Sequence, residues 1–161
     1  MEKLALELIE RNISISSVES FTVGSFANSI GSISGISKVY RGSLVSYQTR
    51  IKRDVLHIDQ EIIDAYGVVS KEVAGLMAIN GKKMFESDIC ISFTGNAGPT
   101  PMEDKPVGLI YIGIAYKDYI STFAYELSGG RQDIVKQAIS IGIEKILEIL
   151  KSDLKLNCID E

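Results

Sequence analysis

The sequence predicts a three-layer α/β/α sandwich with a mixed sheet, formed as a single domain over residues 1–151 with a frayed tail at 152–161. Three observations carry this. Strand-like apolar runs alternate with helical segments through the first part of the chain, the pattern of a parallel sheet covered by helices. The near-continuous apolar run from Asp88 to Phe93 marks a strand buried on both faces. Two further strand patterns joined by Lys117-Asp118 read as an antiparallel hairpin, so the sheet is mixed.

Each element follows from local pattern. Leu4, Leu6, Leu8 and Ile9 predict a helix over 2–12, leaving through Arg11-Asn12. Ile13 to Val18 alternates apolar residues with serine and reads as a strand. A helix is expected over 22–34, where Gly24, Ser25, Ala27 and Ser29 predict close packing on the sheet. The next strand lies within 39–47, with its core at 42–47. Helical segments follow at 49–56 and 60–66, and Gly67 stands as the residue that ends the second. Ser70 reads as the N-cap of a long helix to Phe85. Three prolines and two glycines make 95–106 a loop. Strands at 107–116 and 119–127 then lead to an amphipathic helix over 131–151 with Ile134, Val135, Ala138, Ile141, Ile146 and Leu150 inward.

With 161 residues, 45% of them hydrophobic and 24% charged, the chain is long and apolar enough to build one core. A net charge of −4 argues against an extended nucleic-acid surface, which needs a basic face. Cys90 and Cys158 belong to no Cys-x-x-Cys pair or Cys/His cluster, so no zinc site is expected, and no cofactor is expected either; Cys90 reads as a small buried hydrophobe. Charges recur through the first ten residues, without a signal-peptide core. No apolar run approaches membrane-spanning length, so a cytoplasmic protein without a membrane partner is expected.

Chemistry is expected where ligands bind open α/β sheets, beyond the carboxyl ends of strands. Three polar motifs fall there: Glu19-Ser20-Phe21-Thr22-Val23-Gly24, Tyr47 to Lys52, and Thr94-Gly95-Asn96-Ala97-Gly98-Pro99. With His57 the only histidine, acyl transfer would need another base. A serine hydroxyl requires a partner to take its proton, and a buried lysine has a proton affinity low enough to do so. Ser20 with Lys52 is such a pair, with Tyr47 placed to relay a proton or fix the amine. The N–H groups at a helix start just after Ser20 suit an anion or a developing oxyanion. Gly129-Gly130-Arg131 opens the last helix, where the guanidinium could grip a phosphate or carboxylate. Glu19 reads either as a buried carboxyl that orients the site or as a charge at a strand end. His57, between Leu56 and Ile58, reads as packing, and Lys82-Lys83 as a solvated helix face. Residue by residue, Ser20 as a plain cap and Lys52 as a surface charge stay open alternatives.

Taken together, the segments resemble the CinA C-terminal domain family, whose enzymatic members are nicotinamide-nucleotide amidases. The resemblance runs from about residue 3 to 150. Glu19 to Gly24 is similar to Glu-Ser-Cys-Thr-Gly-Gly, and Tyr47 to Lys52 to Tyr-Ser-Asn-x-x-Lys. Tyr66 to Ser70 is similar to His-Gly-Ala-Val-Ser. Thr94 to Pro99 with Lys105-Pro106-Val107-Gly108 resembles Thr-Gly-Ile-Ala-Gly-Pro followed by Lys-Pro-Val-Gly, and Ser128 to Arg131 resembles the Gly-x-Arg before the last helix.

The resemblance implies hydrolysis of the carboxamide of nicotinamide mononucleotide to nicotinate mononucleotide and ammonia. In that reading Ser20 is the nucleophile, Lys52 its base and Tyr47 its assistant. Thr22, Gly24, Thr94, Gly95 and Arg131 contact substrate, Thr94 positioning it or holding the oxyanion. A homo-oligomer, a dimer or larger, is also implied. Phe21 and Val23 stand where the family has cysteine and glycine, and the bulk of Val23 beside Ser20 could narrow the pocket or turn an oxyanion donor away. Asn96 replaces an apolar residue, and Thr100 to Asp104 shortens the following loop. The alternative is a nucleotide-binding or interaction protein on the same fold, impaired in catalysis or altered in specificity. A generic serine esterase is remote, since no Gly-x-Ser-x-Gly is present.

Overall fold

Five strands form one sheet in the order β2-β1-β3-β4-β5. A computed structural model of the chain describes residues 1–157. The strands are β1 (Ile15–Glu19), β2 (Tyr40–Val45), β3 (Ile89–Gly95), β4 (Leu109–Tyr116) and β5 (Tyr119–Glu126). The helices are α1 (Glu2–Glu10), α2 (Ser25–Gly31), α3 (Thr49–Asp54), α4 (Gln60–Tyr66), α5 (Lys71–Phe85) and α6 (Arg131–Asn157), with a 3-10 turn at Ile36–Lys38. β2, β1 and β3 are parallel, while β4 runs antiparallel to both β3 and β5. The expected mixed sheet and hairpin are therefore present. β5 points the same way as β1 to β3, so the start of α6 returns to the edge of the sheet where those three strands end.

Leu4, Leu8, Phe26, Ile30, Ile134 and Ile146 cover one face of the sheet through α1, α2 and α6. Val73 and Met77 of α5, with Leu56, Ile58 and Ile63, cover the other face around Val18 and Cys90. The α5 layer lies very close to the sheet. A Cβ at Gly81 would sit 2.4 Å from Val18 Cγ2, and one at Gly113 would sit 2.4 Å from the Ala74 carbonyl oxygen.

Where element ends move, the causes are local. The serines that alternate with apolar residues in β1 are buried along with the rest of the strand. Lying second in the sheet between two helical layers, β1 satisfies its hydroxyls internally. Ser16 and Ser87 Oγ are 2.7 Å apart, and Ser17 donates to Ser43 at 2.8 Å. The helix expected at 22–34 shrinks to α2, because Val23 and Gly24 sit at φ 48° and 84° and form a turn instead. Ser70 does cap α5, accepting from Val73 N–H at 3.2 Å.

The last helix does not stop at 151. Asp153 accepts from Arg11 at 3.2 Å and from the Tyr116 hydroxyl at 2.9 Å, and pairs with Lys117, which ties that turn to α1 and the hairpin. Residues 158–161, the end of the expected frayed tail including Cys158, lie outside the described residues. Cys90 is buried as expected, which pushes its thiol up to about 12. No helix among the described residues is long and apolar enough to cross a membrane.

Candidate active site

A cavity of about 310 Å³ opens where β1, β2 and β3 end, and Ser20, Tyr47, Lys52, Thr94, Gly95 and Arg131 all border it. Lys52 lies on α3, the short helix after β2, and its side chain runs inward to only 1% exposure. Its Nζ lies 3.1 Å from Ser20 Oγ and donates to the Ser46 carbonyl at 2.6 Å. Burial lowers the lysine from the usual 10.5 to about 8, although the charge of Glu103 acts in the opposite direction. A neutral amine is thus accessible near physiological pH and in contact with a serine hydroxyl.

Ser20 is held there by its own backbone and by the anchoring of Glu19 beside it. Its own N–H donates to the Phe93 carbonyl at 3.0 Å, which continues the β1–β3 pairing. The Glu19 carboxyl, fully buried, accepts from the N–H groups of Phe26 at 3.1 Å and Ala27 at 2.9 Å at the start of α2. It also accepts from Ser17 and Ser43 at 3.4 and 3.3 Å. Of the two readings open for Glu19, the buried orienting group is the one the geometry supports.

Thr94 is buried and donates its hydroxyl proton to the Val68 carbonyl at 2.7 Å, leaving only acceptor capacity on its oxygen. Gly95 borders the cavity, but its bare backbone serves the neighbouring strand: a Cβ there would lie 2.6 Å from Ile110 Cγ2 and 2.7 Å from Ile110 Cα. Arg131, exposed at the first turn of α6, reaches back to donate to the Gly98 carbonyl.

Other expected positions differ. Tyr47 stands at the rim with 57% exposure, and among the described residues its hydroxyl makes no hydrogen bond to Lys52. The Ser46 carbonyl holds the amine instead. Thr22 is buried and Gly24 half-buried, and neither borders the cavity, because the turn after Phe21 carries them away from it. Val23 does not narrow the pocket: it is 56% exposed and lies off the cavity, while Phe21 forms part of the wall. His57 is exposed at φ 55° rather than packed.

Val23 does carry backbone strain, since a β-branched residue at φ 48° is disfavoured by about 1–3 kcal/mol. Val23→Gly removes that strain and gives up about 0.5–1 kcal/mol to unfolded-chain entropy. It is expected to raise stability in urea melts by about 1 kcal/mol and to leave turnover within about twofold of the parent.

Two contributions carried no signal in the sequence. One is the Ser46 carbonyl, a group every residue possesses. The other is the loop after β3. Asn96 Nδ2 donates to the carbonyls of Met102 at 3.1 Å and Lys105 at 2.9 Å, stapling the shortened loop. Glu103 of that loop accepts from the N–H groups of Val68 at 2.6 Å and Val69 at 3.1 Å, and both valines border the cavity.

The model of the CinA C-terminal domain matches residues 1–150. A competence-damage inducible protein of Lactiplantibacillus plantarum is 37% identical over 151 residues, covering 93% of this chain and 36% of its own length. One from Oceanobacillus iheyensis is 41% identical over 147 residues, with coverages of 91% and 35%. The chain therefore spans about a third of the length of these curated relatives. Among solved structures, a CinA superfamily protein of Klebsiella pneumoniae superimposes with a TM-score of 0.91 at 25% identity, covering 94% of this chain and 95% of that one. By the match along nearly its whole described length, the chain belongs to the CinA C-terminal domain family.

Proposed function

We propose that the protein hydrolyses the carboxamide of nicotinamide mononucleotide, using Ser20 as nucleophile and Lys52 as general base. The contact of a buried lysine of lowered proton affinity with a serine hydroxyl is the observation that carries this reading. A cavity of about 310 Å³ is of the size that small-molecule sites occupy.

Neutral Lys52 accepts the Ser20 proton as Oγ attacks the carboxamide carbon. The oxyanion forms beside the N–H group of Phe21, which borders the cavity and has no backbone acceptor among the described residues. The C–N bond then breaks, and the Lys52 ammonium returns the proton to the leaving nitrogen, releasing ammonia. Water, deprotonated in turn by Lys52, cleaves the Ser20 ester to give the carboxylate product. Thr94, its proton committed to Val68, accepts from the carboxamide N–H and so positions the amide rather than the oxyanion. Arg131 at the rim faces the phosphate.

Incubation of the purified protein with nicotinamide mononucleotide should yield ammonia and nicotinate mononucleotide in equal amounts. Because the base works only when neutral, kcat/KM should rise with pH and level off above about 8. A folded protein that releases neither product contradicts the reading, and a flat profile through pH 8 contradicts the role of Lys52.

A further inference from the structure

The segment joining α4 to α5 forms one wall of the cavity, and the loop after β3 holds it. Val68 and Val69 donate their N–H groups to the two oxygens of Glu103. Lys105 Nζ donates to the carbonyls of Val69 at 2.7 Å and Tyr66 at 2.8 Å, and to Glu103 at 3.1 Å. Thr94 takes the Val68 carbonyl. The main-chain polar groups of this wall are thus met by side chains of β3 and its loop.

We propose that Glu103, with its charge moderated by Lys105, is a positioning residue for the Ser20–Lys52 pair: it locks the Val68–Val69 wall and supplies the negative charge against which the Lys52 ammonium forms. This rests on the reading of Lys52 as the base.

Burial by itself raises the Glu103 carboxyl, but the two N–H groups and Lys105 outweigh it and hold the group below its ordinary value. It is therefore ionised wherever Lys52 titrates, and its charge favours the ammonium. The other groups around Lys52 do not duplicate this. The Ser20 hydroxyl touches it from the end of β1, while the Tyr47 phenol and the Arg131 guanidinium border the same cavity from the β2–α3 link and from α6. On α3 itself, Arg53 pairs with Asp54 at 2.6 Å and Arg50 donates to Gln48 at 2.8 Å, all of them exposed. Glu19 is committed to α2. Glu103 holds a wall of the cavity that Lys52 borders, and its charge favours the ammonium.

The test is the pH dependence of Ser20 labelling by a fluorophosphonate, which reads the base without requiring the natural substrate, alongside kcat/KM for nicotinamide mononucleotide. Glu103→Gln should move the acidic limb to lower pH by about half a unit. Lys105→Met, which removes the cation beside the carboxylate, should move it to higher pH. Glu103→Asp should restore the limb towards the parent position. A role confined to holding the wall would slow labelling without moving the limb in opposite directions.

Limbs that stay in place, or that shift the same way in both variants, overturn the proposal, as does a protein whose Ser20 is unlabelled at every pH. Should Glu103→Gln fail to fold, Lys105→Met decides alone: an upward shift supports the proposal and none overturns it. Opposite shifts in a protein that releases no ammonia leave the proposal standing while the amidase reading fails. Ammonia release with fixed limbs does the reverse.

Discussion

Lys52→Met is expected to abolish turnover while making the protein more stable. Turnover should fall at least about 10³-fold, because among the described residues no other side-chain base contacts Ser20 Oγ. The gain in stability follows from linkage. The folded lysine titrates near 8 and the unfolded one near 10.5, so at neutral pH the fold holds a buried ammonium at a cost of roughly 3 kcal/mol. Methionine keeps most of the stem and removes the charge, but it leaves the Ser46 carbonyl unpaired, which costs about 1–2 kcal/mol. A net gain of about 1–2 kcal/mol is predicted at pH 7 in urea melts. The sign can be checked against pH: a depressed lysine destabilises fully below pH 8, and the penalty disappears as pH rises towards 10.5. The advantage of methionine should shrink over that interval. A variant less stable than the parent at pH 7 would mean that the lysine is held in the fold for its contacts and not at a cost to stability.

Glu19→Ala is expected to give the largest loss of stability of any single change near the site. The carboxyl is fully buried and accepts from two helix N–H groups and two serine hydroxyls. Truncation orphans those donors and leaves a cavity, together about 3–5 kcal/mol. Glu19→Gln keeps one acceptor oxygen and should lose about half as much. Since Ser20 follows directly and α2 hangs on the same carboxyl, turnover should fall in both variants in the same order as stability. Urea midpoints at unchanged slope provide the measurement. A loss below about 1 kcal/mol in Glu19→Ala would show that water or a shift of α2 replaces the carboxyl.

The order of elements was legible because it is written in period and punctuation: the apolar run of β3, the hairpin at Lys117-Asp118 and the Ser70 cap each have a local cause. The meeting of Ser20 with Lys52, 32 positions apart, was legible only as a pattern, because both follow parallel strands and so reach the same edge of the sheet. What escaped depended on neighbours supplied by the fold. The serines of β1 showed only their alternation with apolar residues, and β2 and the segment before β3 gave them partners. Val23 looked obstructive because sequence adjacency to Ser20 does not say which way a turn at φ 48° throws its side chain. Tyr47 read as a proton relay or as the holder of the lysine amine, and the amine's bond goes to the carbonyl of the residue before it. Glu103 showed nothing in the sequence of its bonds to Val68 and Val69, 35 and 34 positions away. The continuation of α6 past 151 rests likewise on partners of Asp153 in α1 and β4, far away in the chain.

The central claim is that Ser20, activated by Lys52, cleaves a carboxamide. Ammonia release from nicotinamide mononucleotide by the parent protein and by Ser20→Ala, compared at pH 8 with both shown to be folded, tests it most directly. Steady release by the parent that falls at least about 10³-fold in Ser20→Ala is the predicted result. Equal release by the two proteins, or none by the parent, would contradict it.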